Sequence, residues 1–328
     1  MDNKITKKRL YNLLSYEWIL MCFVIALAMI AWELIYTVGA VRLTPGQQFK
    51  YYLDQKLYIG DNAELYNLVK DDNALSYDIL KFDTETLISS ANVLATRLTI
   101  YDGDIIFTDS VGSDSQTNKN IRAKTVIDLH PIYPLEDLIK DAQKYLRDNF
   151  LTDGITAENA ELDYENLSKE KIKNVFLNRM KGDNRFRTEQ EKKDGIKLEE
   201  QRIEKLCSEV KDFKKFLTYA INEKPELLYR YTKYHQVYEN SKIDGISEED
   251  YRIIYNEELA IRPNAIYGIN VVELTGGTDP SNYFKVENAT TAKDVVMMAF
   301  NFLEQQPHLQ FEVISFMNTI IRTCSNII

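Results

Sequence analysis

Hydrophobic positions along this chain fall into three regimes. The first, Trp18 to Val41, is apolar on every side: WILMCFVIALAMIAWELIYTVGAV carries one charge, Glu33, in 24 residues. As a helix rising about 1.5 Å per residue it is about 36 Å long, against a bilayer hydrocarbon core of about 30 Å. Trp18 and Trp32 bracket its purest apolar part, with Tyr16 and Tyr36 just outside, as aromatic rings settle at lipid–water boundaries. Lys4, Lys7, Lys8 and Arg9 precede it, so the positive-inside rule predicts a single-pass anchor, a cytoplasmic N-terminus and an extracytoplasmic remainder. A cleaved signal peptide is the alternative, with Thr37-Val38-Gly39-Ala40 as the cleavage region. Glu33 lies near the outer end, either hydrated at the interface or paired with a partner's helix. The tail, residues 1–17, is too short for a folded cytoplasmic output module.

The second regime, 42–134, alternates between strand and helix periods. Phe49, Tyr51, Leu53, Leu57 and Ile59 fall on alternate positions, which predicts a strand over Gln48–Ile59, broken by Gly60-Asp61-Asn62. Asp61 or Asn62 caps a helix through Leu65, Leu68 and Val69. A second strand is expected over Ser76–Phe82. Thr84 or Thr86 then starts a helix with Leu87, Ala91, Leu94, Ala95 and Leu98 on one face, ended by Asp102-Gly103. Asp104 to Thr108 reads as a short buried strand. Helices between short apolar strands predict a parallel sheet with right-handed crossovers. Residues 110–127 read as a polar loop.

In the third regime, from Leu135 to about Ala260, the period is helical and charge is dense. Leu135, Leu138, Ile139, Ala142 and Leu146 share one face; Ile172, Val175, Phe176 and Met180 share another, after Ser168. Thr188 and Glu191 form a capping box ahead of Ile203, Leu206, Val210, Phe213 and Leu217. Pro225 is placed for a first helical position before Leu228, Tyr231, Tyr234 and Tyr238, and Ser247 or Asp250 for a last short helix. Strand signals return at Ile266–Leu274 and Tyr283–Val286, around a turn at Thr275–Pro280. Two helices are expected to close the chain, Thr291–Gln305 and a second from Pro307 to about Cys324. The division that follows is a tail over 1–17, a transmembrane helix over 18–41, an α/β lobe over 42–134, a helical lobe or insertion over 135–262, and a return to the α/β lobe over 263–328.

Charge narrows the partners. A net charge of −10 and a pI near 5.1 argue against nucleic acid, which needs clustered positive charge. Three cysteines make no disulfide framework; Cys207 and Cys324 are either a pair or two free thiols. Asn166-Leu-Ser and Asn288-Ala-Thr match the glycosylation acceptor pattern, which matters only on a eukaryotic secretory route.

Three segments carry a family resemblance. Ala95-Thr-Arg-Leu-Thr-Ile-Tyr-Asp-Gly-Asp-Ile-Ile-Phe-Thr-Asp109 resembles the helix-to-strand step of extracytoplasmic solute-binding proteins of the periplasmic-binding-protein type, where a strand runs to the ligand cleft. Leu129 to Leu138, LHPIYPLEDL, is similar to the segment that turns through prolines toward their second lobe. Ala265 to Leu274, AIYGINVVEL, also looks like a strand of that family. The resemblance implies an α/β, two-lobed ectodomain with a largely helical second lobe, capture of a sugar or peptide, and delivery to an ABC transporter permease. A retained transmembrane helix departs from the family and implies a membrane-bound variant.

Catalytic signals are sparse. His130, His235 and His308 sit in no metal-ligand spacing, and Ser168-Lys-Glu-Lys171 lacks the K-T-G partner of penicillin-interacting enzymes. No G-x-S-x-G and no phosphate-binding glycine loop occurs. Asp102, Asp104, Asp109 and Asp114 do not follow EF-hand spacing. The expectation is a non-enzyme without cofactor or metal. Ligands of open parallel sheets sit beyond the strands' carboxyl ends, which nominates Asp61, Asn62, Asp83, Thr84, Asp109 and Ser110. Tyr133, Tyr267 and Tyr283 are the aromatic faces for a sugar. The competing reading is a non-catalytic interaction subunit of a membrane complex, with the fold but no ligand.

Overall fold

A computed structural model of the chain describes residues 7–8, 11, 18–39, 43, 47–54, 57–59, 74–87, 90–109, 123–152, 166–232, 264–274, 284–286, 290–291, 295–325 and 327. The chain forms two units, residues 1–42 with 180–192, and residues 43–179 with 193–328.

The first unit contains helix α1, Trp18–Gly39. Its stretch Trp18–Tyr36 is long and apolar enough to cross a membrane, and its large apolar side chains are exposed. Thr188 and Glu191 make the predicted capping box. The Thr188 N–H donates to Glu191 Oε2 (2.7 Å), and the Glu191 N–H donates to Thr188 Oγ1 (3.1 Å).

The second unit is mixed α/β. Its strands are β1 (Gln48–Asp54), β2 (Leu57–Ile59), β3 (Lys81–Leu87), β4 (Ile105–Asp109), β5 (Leu228–Tyr231), β6 (Ala265–Asn270), β7 (Phe284–Val286), β8 (Thr290–Thr291) and β9 (Val295–Ala299). Six form one sheet in the order β3-β1-β4-β9-β6-β5, and β2-β7-β8 form a small second sheet. β1 pairs in parallel with both β3 and β4, while the β4–β9, β9–β6 and β6–β5 pairs are antiparallel.

Helices cover both faces of the large sheet. They are α2 (Ser90–Thr99), α3 (Ala123–Leu129), α4 (Leu135–Phe150), α5 (Lys169–Arg179), α6 (Glu189–Glu223), the short α7 (Val271–Leu274) and α8 (Glu312–Cys324). On one face Phe49, Tyr51, Phe107 and Met297 join a core with Leu138 and Leu146 of α4, Ile172 of α5, Ile203, Leu206, Val210 and Phe213 of α6, and Phe316 of α8. On the other, Tyr52, Ile106 and Met298 pack with Leu94 and Leu98 of α2 and Val126 and Ile127 of α3. The described helices of 135–223 therefore share one hydrophobic cluster with the sheet. Their apolar stripes match the predicted ones, since a 3.6-residue period marks the face that must leave water.

Several boundaries differ from the sequence reading, each for a physical reason. The strand expected over Gln48–Ile59 is two strands in two sheets, and Lys50 and Tyr52 of β1 are buried along with the odd positions because helices cover both faces. The strand expected over Ser76–Phe82 lies at Lys81–Leu87 instead. Residues 74–80 are an irregular strap, whose polar groups are taken by Glu312, Glu199 and Gln47. Thr84 and Thr86 are thus inside β3 rather than at a helix start, and Leu87 belongs to that strand. Pro225 begins a single 3-10 turn, Pro225–Leu227, and Leu228 and Tyr231 lie on β5, not on a helix. The helix expected over Thr291–Gln305 is replaced by β8 and β9. Val295 to Ala299 is buried at every position, and such a run satisfies strand and helix periods alike. The strand from Ile266 stops at Asn270, where α7 begins. The all-parallel sheet is parallel only across β3-β1-β4. The end of the predicted polar loop is helix α3. The helices expected through Leu65 and after Ser247, the turn at Thr275–Pro280, Tyr234 and Tyr238 lie outside the described residues.

Candidate functional site

The chain leaves β1, adds β3 on one side, and returns through α2 to add β4 on the other. β1 therefore lies between two parallel neighbours reached in opposite directions, which makes the β1/β4 carboxyl edge a topological switch point. Asp109 is the last residue of β4, in register with Val295 of β9.

Among the described residues, the nominated Asp83, Thr84, Tyr133 and Tyr267 are not gathered there. Asp83 and Thr84 are the third and fourth of the seven residues of β3, inside the strand, in register with Lys50 and Tyr51. Asp83 is half-exposed and accepts from Lys81 Nζ (2.7 Å) and Gln48 Nε2 (3.4 Å). Tyr133 is 1 % exposed and its hydroxyl donates to Asp141 Oδ2 (2.7 Å); burial and that carboxylate push its pKa up. Tyr267 is buried in the core against α3. Asp61, Asn62, Ser110 and Tyr283 lie outside the described residues.

Two charge clusters that the sequence reading missed hold six buried charged residues, Lys50, Asp78, Asp104, Glu199, Arg202 and Glu312. In the first, Glu199 of α6 is fully buried and takes five donors. Its Oε1 accepts from Arg179 Nη1 (3.1 Å) and Arg202 Nη2 (2.8 Å); its Oε2 accepts from Arg179 Nη2 (2.8 Å), Arg202 Nε (3.0 Å) and the Tyr77 hydroxyl (2.8 Å). Arg179 also approaches Asp78 (3.4 Å), and Arg202 approaches Glu312 (3.4 Å) and donates to the His308 carbonyl (3.0 Å). Burial alone would raise the Glu199 pKa; the two guanidiniums and the tyrosine hydroxyl outweigh it and hold it at about 2. His308 Nδ1 meets the Tyr145 hydroxyl at 3.2 Å, and burial together with Arg179 and Arg202 keeps its pKa down. Glu199 and Arg202 sit next to the apolar stripe that starts at Ile203, and charge on a buried stripe is the signal that could have exposed the cluster.

The second cluster joins β1, β3, α2 and the turn before β4. Lys50 Nζ pairs with Asp102 (2.7 Å) and Glu85 (3.5 Å), and Arg97 pairs with the same two carboxylates (3.6 and 3.4 Å). Asp104 is 7 % exposed beside this ring and accepts the Lys50 backbone N–H (2.8 Å). Among the described residues, no three His, Cys, Asp or Glu side chains are gathered to hold a metal. Ser168 caps α5, its Oγ accepting the Lys171 N–H (3.3 Å). Cys207 and Cys324 are both free thiols.

Comparison with known proteins finds no protein-family model, no curated protein and no solved structure that matches this chain.

Proposed function

We propose that this chain is a single-pass, membrane-anchored, non-catalytic binding protein. Its N-terminus faces the cytoplasm and its α/β body captures a small solute, a sugar or peptide, outside the membrane for an ABC transporter permease. The observation that carries the reading is the position of β1 between two parallel neighbours, with Asp109 ending the adjoining strand. The exposed apolar α1 and the preceding lysines support the anchor and its orientation. The periplasmic-binding-protein-like form of the proposal rests on the segments around Ala95–Asp109, Leu129–Leu138 and Ala265–Leu274. Because the described helices of 135–223 pack on the sheet, the ligand is assigned to the sheet's carboxyl edge, not to a cleft between hinged lobes.

The test is a thermal-shift screen of the full-length protein in detergent against sugars and peptides, with Asp109→Asn beside it. A ligand that raises the wild-type melting temperature and loses that effect in the variant supports capture. No shift with any compound sinks it. Protease protection in sealed vesicles tests orientation: a C-terminal epitope on the same side as Lys7 and Lys8 refutes an extracytoplasmic body.

The second reading, an interaction subunit without a ligand, is favoured by Tyr133 and Tyr267. These aromatic members of the nominated set are both buried, one with its hydroxyl bonded to Asp141 and the other in the core. Cross-linking in intact membranes that traps one membrane complex, combined with a blank ligand screen, selects it.

A further inference from the structure

Lys50, Glu85, Arg97 and Asp102 form a closed square of ion pairs in which each cation meets both carboxylates. Two positive and two negative charges cancel. Asp104 is a third carboxylate beside them, buried, held by the Lys50 N–H and not by a cation of its own in that ring. Its own N–H donates to the Lys50 carbonyl (2.7 Å), and its carbonyl accepts the Phe300 N–H (2.9 Å), so it ties β1 and β9 to the start of β4. The turn leading to it is strained. Tyr101 has φ +56° and Gly103 has φ +122°, with the Tyr52 ring closed over Gly103. Tyr52 donates its hydroxyl to the Asp102 carbonyl (3.0 Å) and Gln306 its amide to the Tyr101 carbonyl (3.2 Å), while Ile100 is 64 % exposed.

We propose that Asp104 and the turn over 100–104 form a proton-operated latch: with Asp104 neutral the turn is closed, and its ionisation opens the turn. An ionised Asp104, itself 7 % exposed, adds a third negative charge to a cluster that holds two cations, next to Asp102 and opposed in part by Lys50. The charged groups acting on it are Lys50 of β1 and Asp102 of the turn itself; Glu85 of β3 and Arg97 of α2 reach it only through those two, Tyr52 of β1 bonds the Asp102 carbonyl, and Phe300 and Gln306, from the segment after β9, add no charge. Burial, with the Asp102 charge, pushes the Asp104 carboxyl up from 3.8 to about 7 against the opposing Lys50 contacts. The neutral form is thus the one the closed turn prefers, and the preference is lost as pH rises through about 7.

Hydrogen exchange of the Tyr101, Asp102 and Asp104 amides, corrected for intrinsic rates, reads the opening equilibrium in the full-length protein. With Asp104 at about 7 closed and 3.8 open, opening grows about tenfold per pH unit between about pH 4 and 7, and about a hundredfold from pH 5 to 8. Asp104→Asn keeps the acceptor for the Lys50 N–H and flattens the slope. A flat wild-type profile, or the same slope in the variant, overturns the latch. Should the variant not fold, carbon-13 titration of the wild-type carboxyl decides: a midpoint near 7 supports the latch, and one below 5 overturns it.

Discussion

Replacing Glu199 with Gln should be among the most damaging isosteric changes in this protein. The side chain keeps its volume, yet its new NH2 group faces guanidinium and hydroxyl donors, and one of the three carboxylates around Arg179 and Arg202 is gone. Arg202 is 2 % exposed at its side chain and Arg179 12 %, so water does not replace the lost charge. Two arguments set the size. Breaking a buried ion pair by removing one partner costs about 3–5 kcal/mol. Independently, holding a carboxyl at about 2 instead of 4.5 corresponds to about 3 kcal/mol at about 1.4 kcal/mol per pKa unit. Urea unfolding of the full-length protein in detergent reads the difference, and with a slope of about 3 kcal/mol/M the midpoint falls by about 1 M or more.

The triple variant Glu199→Met, Arg179→Met, Arg202→Met should lose clearly less than the sum of its three single substitutions, because the three groups hold one another, while Asp78 and Glu312, left without their cations, keep it destabilised. A loss below about 1 kcal/mol for Glu199→Gln, or simple additivity across the three sites, would refute a dry, mutually dependent network.

Other outcomes follow from packing and burial. Phe316→Ala removes a ring whose centroid lies 5.1 Å from Phe49 and 5.9 Å from Tyr51, and should cost about 3–5 kcal/mol in the same unfolding assay. Gly268→Ala drives a methyl against Val296 Cγ1 and the Met297 carbonyl across the β6–β9 pair, and overpacking of about 1–3 kcal/mol should appear as a lowered midpoint. Burial pushes the Cys207 and Cys324 thiols up to about 12. In a Cys22→Ser background, native maleimide labelling at pH 8 should therefore be about a thousandfold slower than for a free thiol, and denaturant should restore it.

Elements whose packing face matches one period were legible. α4 presents an apolar stripe, as does α6 from Ile203 to Leu217, and the strand Ile105–Asp109 follows the Asp102-Gly103-Asp104 turn after the preceding helix. Elements whose environment departs from their local pattern were not. β3 reads KFDTETL, a polar edge strand that pairs with β1 along all seven residues, and its polarity hides it beside the more apolar strap at 74–80. β9 reads VVMMA, buried on both faces, which erases alternation. The same displacement explains the nominated site. Placing the second strand at 76–82 puts Asp83 and Thr84 past its carboxyl end; placing it at 81–87 puts them inside it. Tyr133 failed for another reason, since Asp141, two helical turns on, already occupies its hydroxyl. Among the described nominees, Asp109 lies at the carboxyl end of its strand, which runs over Ile105–Asp109, one residue on from the expected Asp104–Thr108.

The two charge clusters oppose each other in their response to pH, and that opposition is measurable. Glu199 has a depressed pKa, so its stabilisation is present above 4.5 and is lost as pH falls toward about 2. Asp104 has a raised pKa, so its stabilisation is present below 3.8 and is lost as pH rises toward about 7, a change of about 4 kcal/mol. Taken together, the two contributions peak near pH 4 and decline on both sides. Asp104→Asn removes the upper decline and turns the profile into a plateau above about pH 5, whereas Glu199→Gln removes the lower one. Urea midpoints measured from pH 3 to 8 test both. If the Asp104→Asn profile runs parallel to the wild type between pH 4 and 7, Asp104 is ionised in the folded protein, and the square of ion pairs beside it does not exclude a third negative charge.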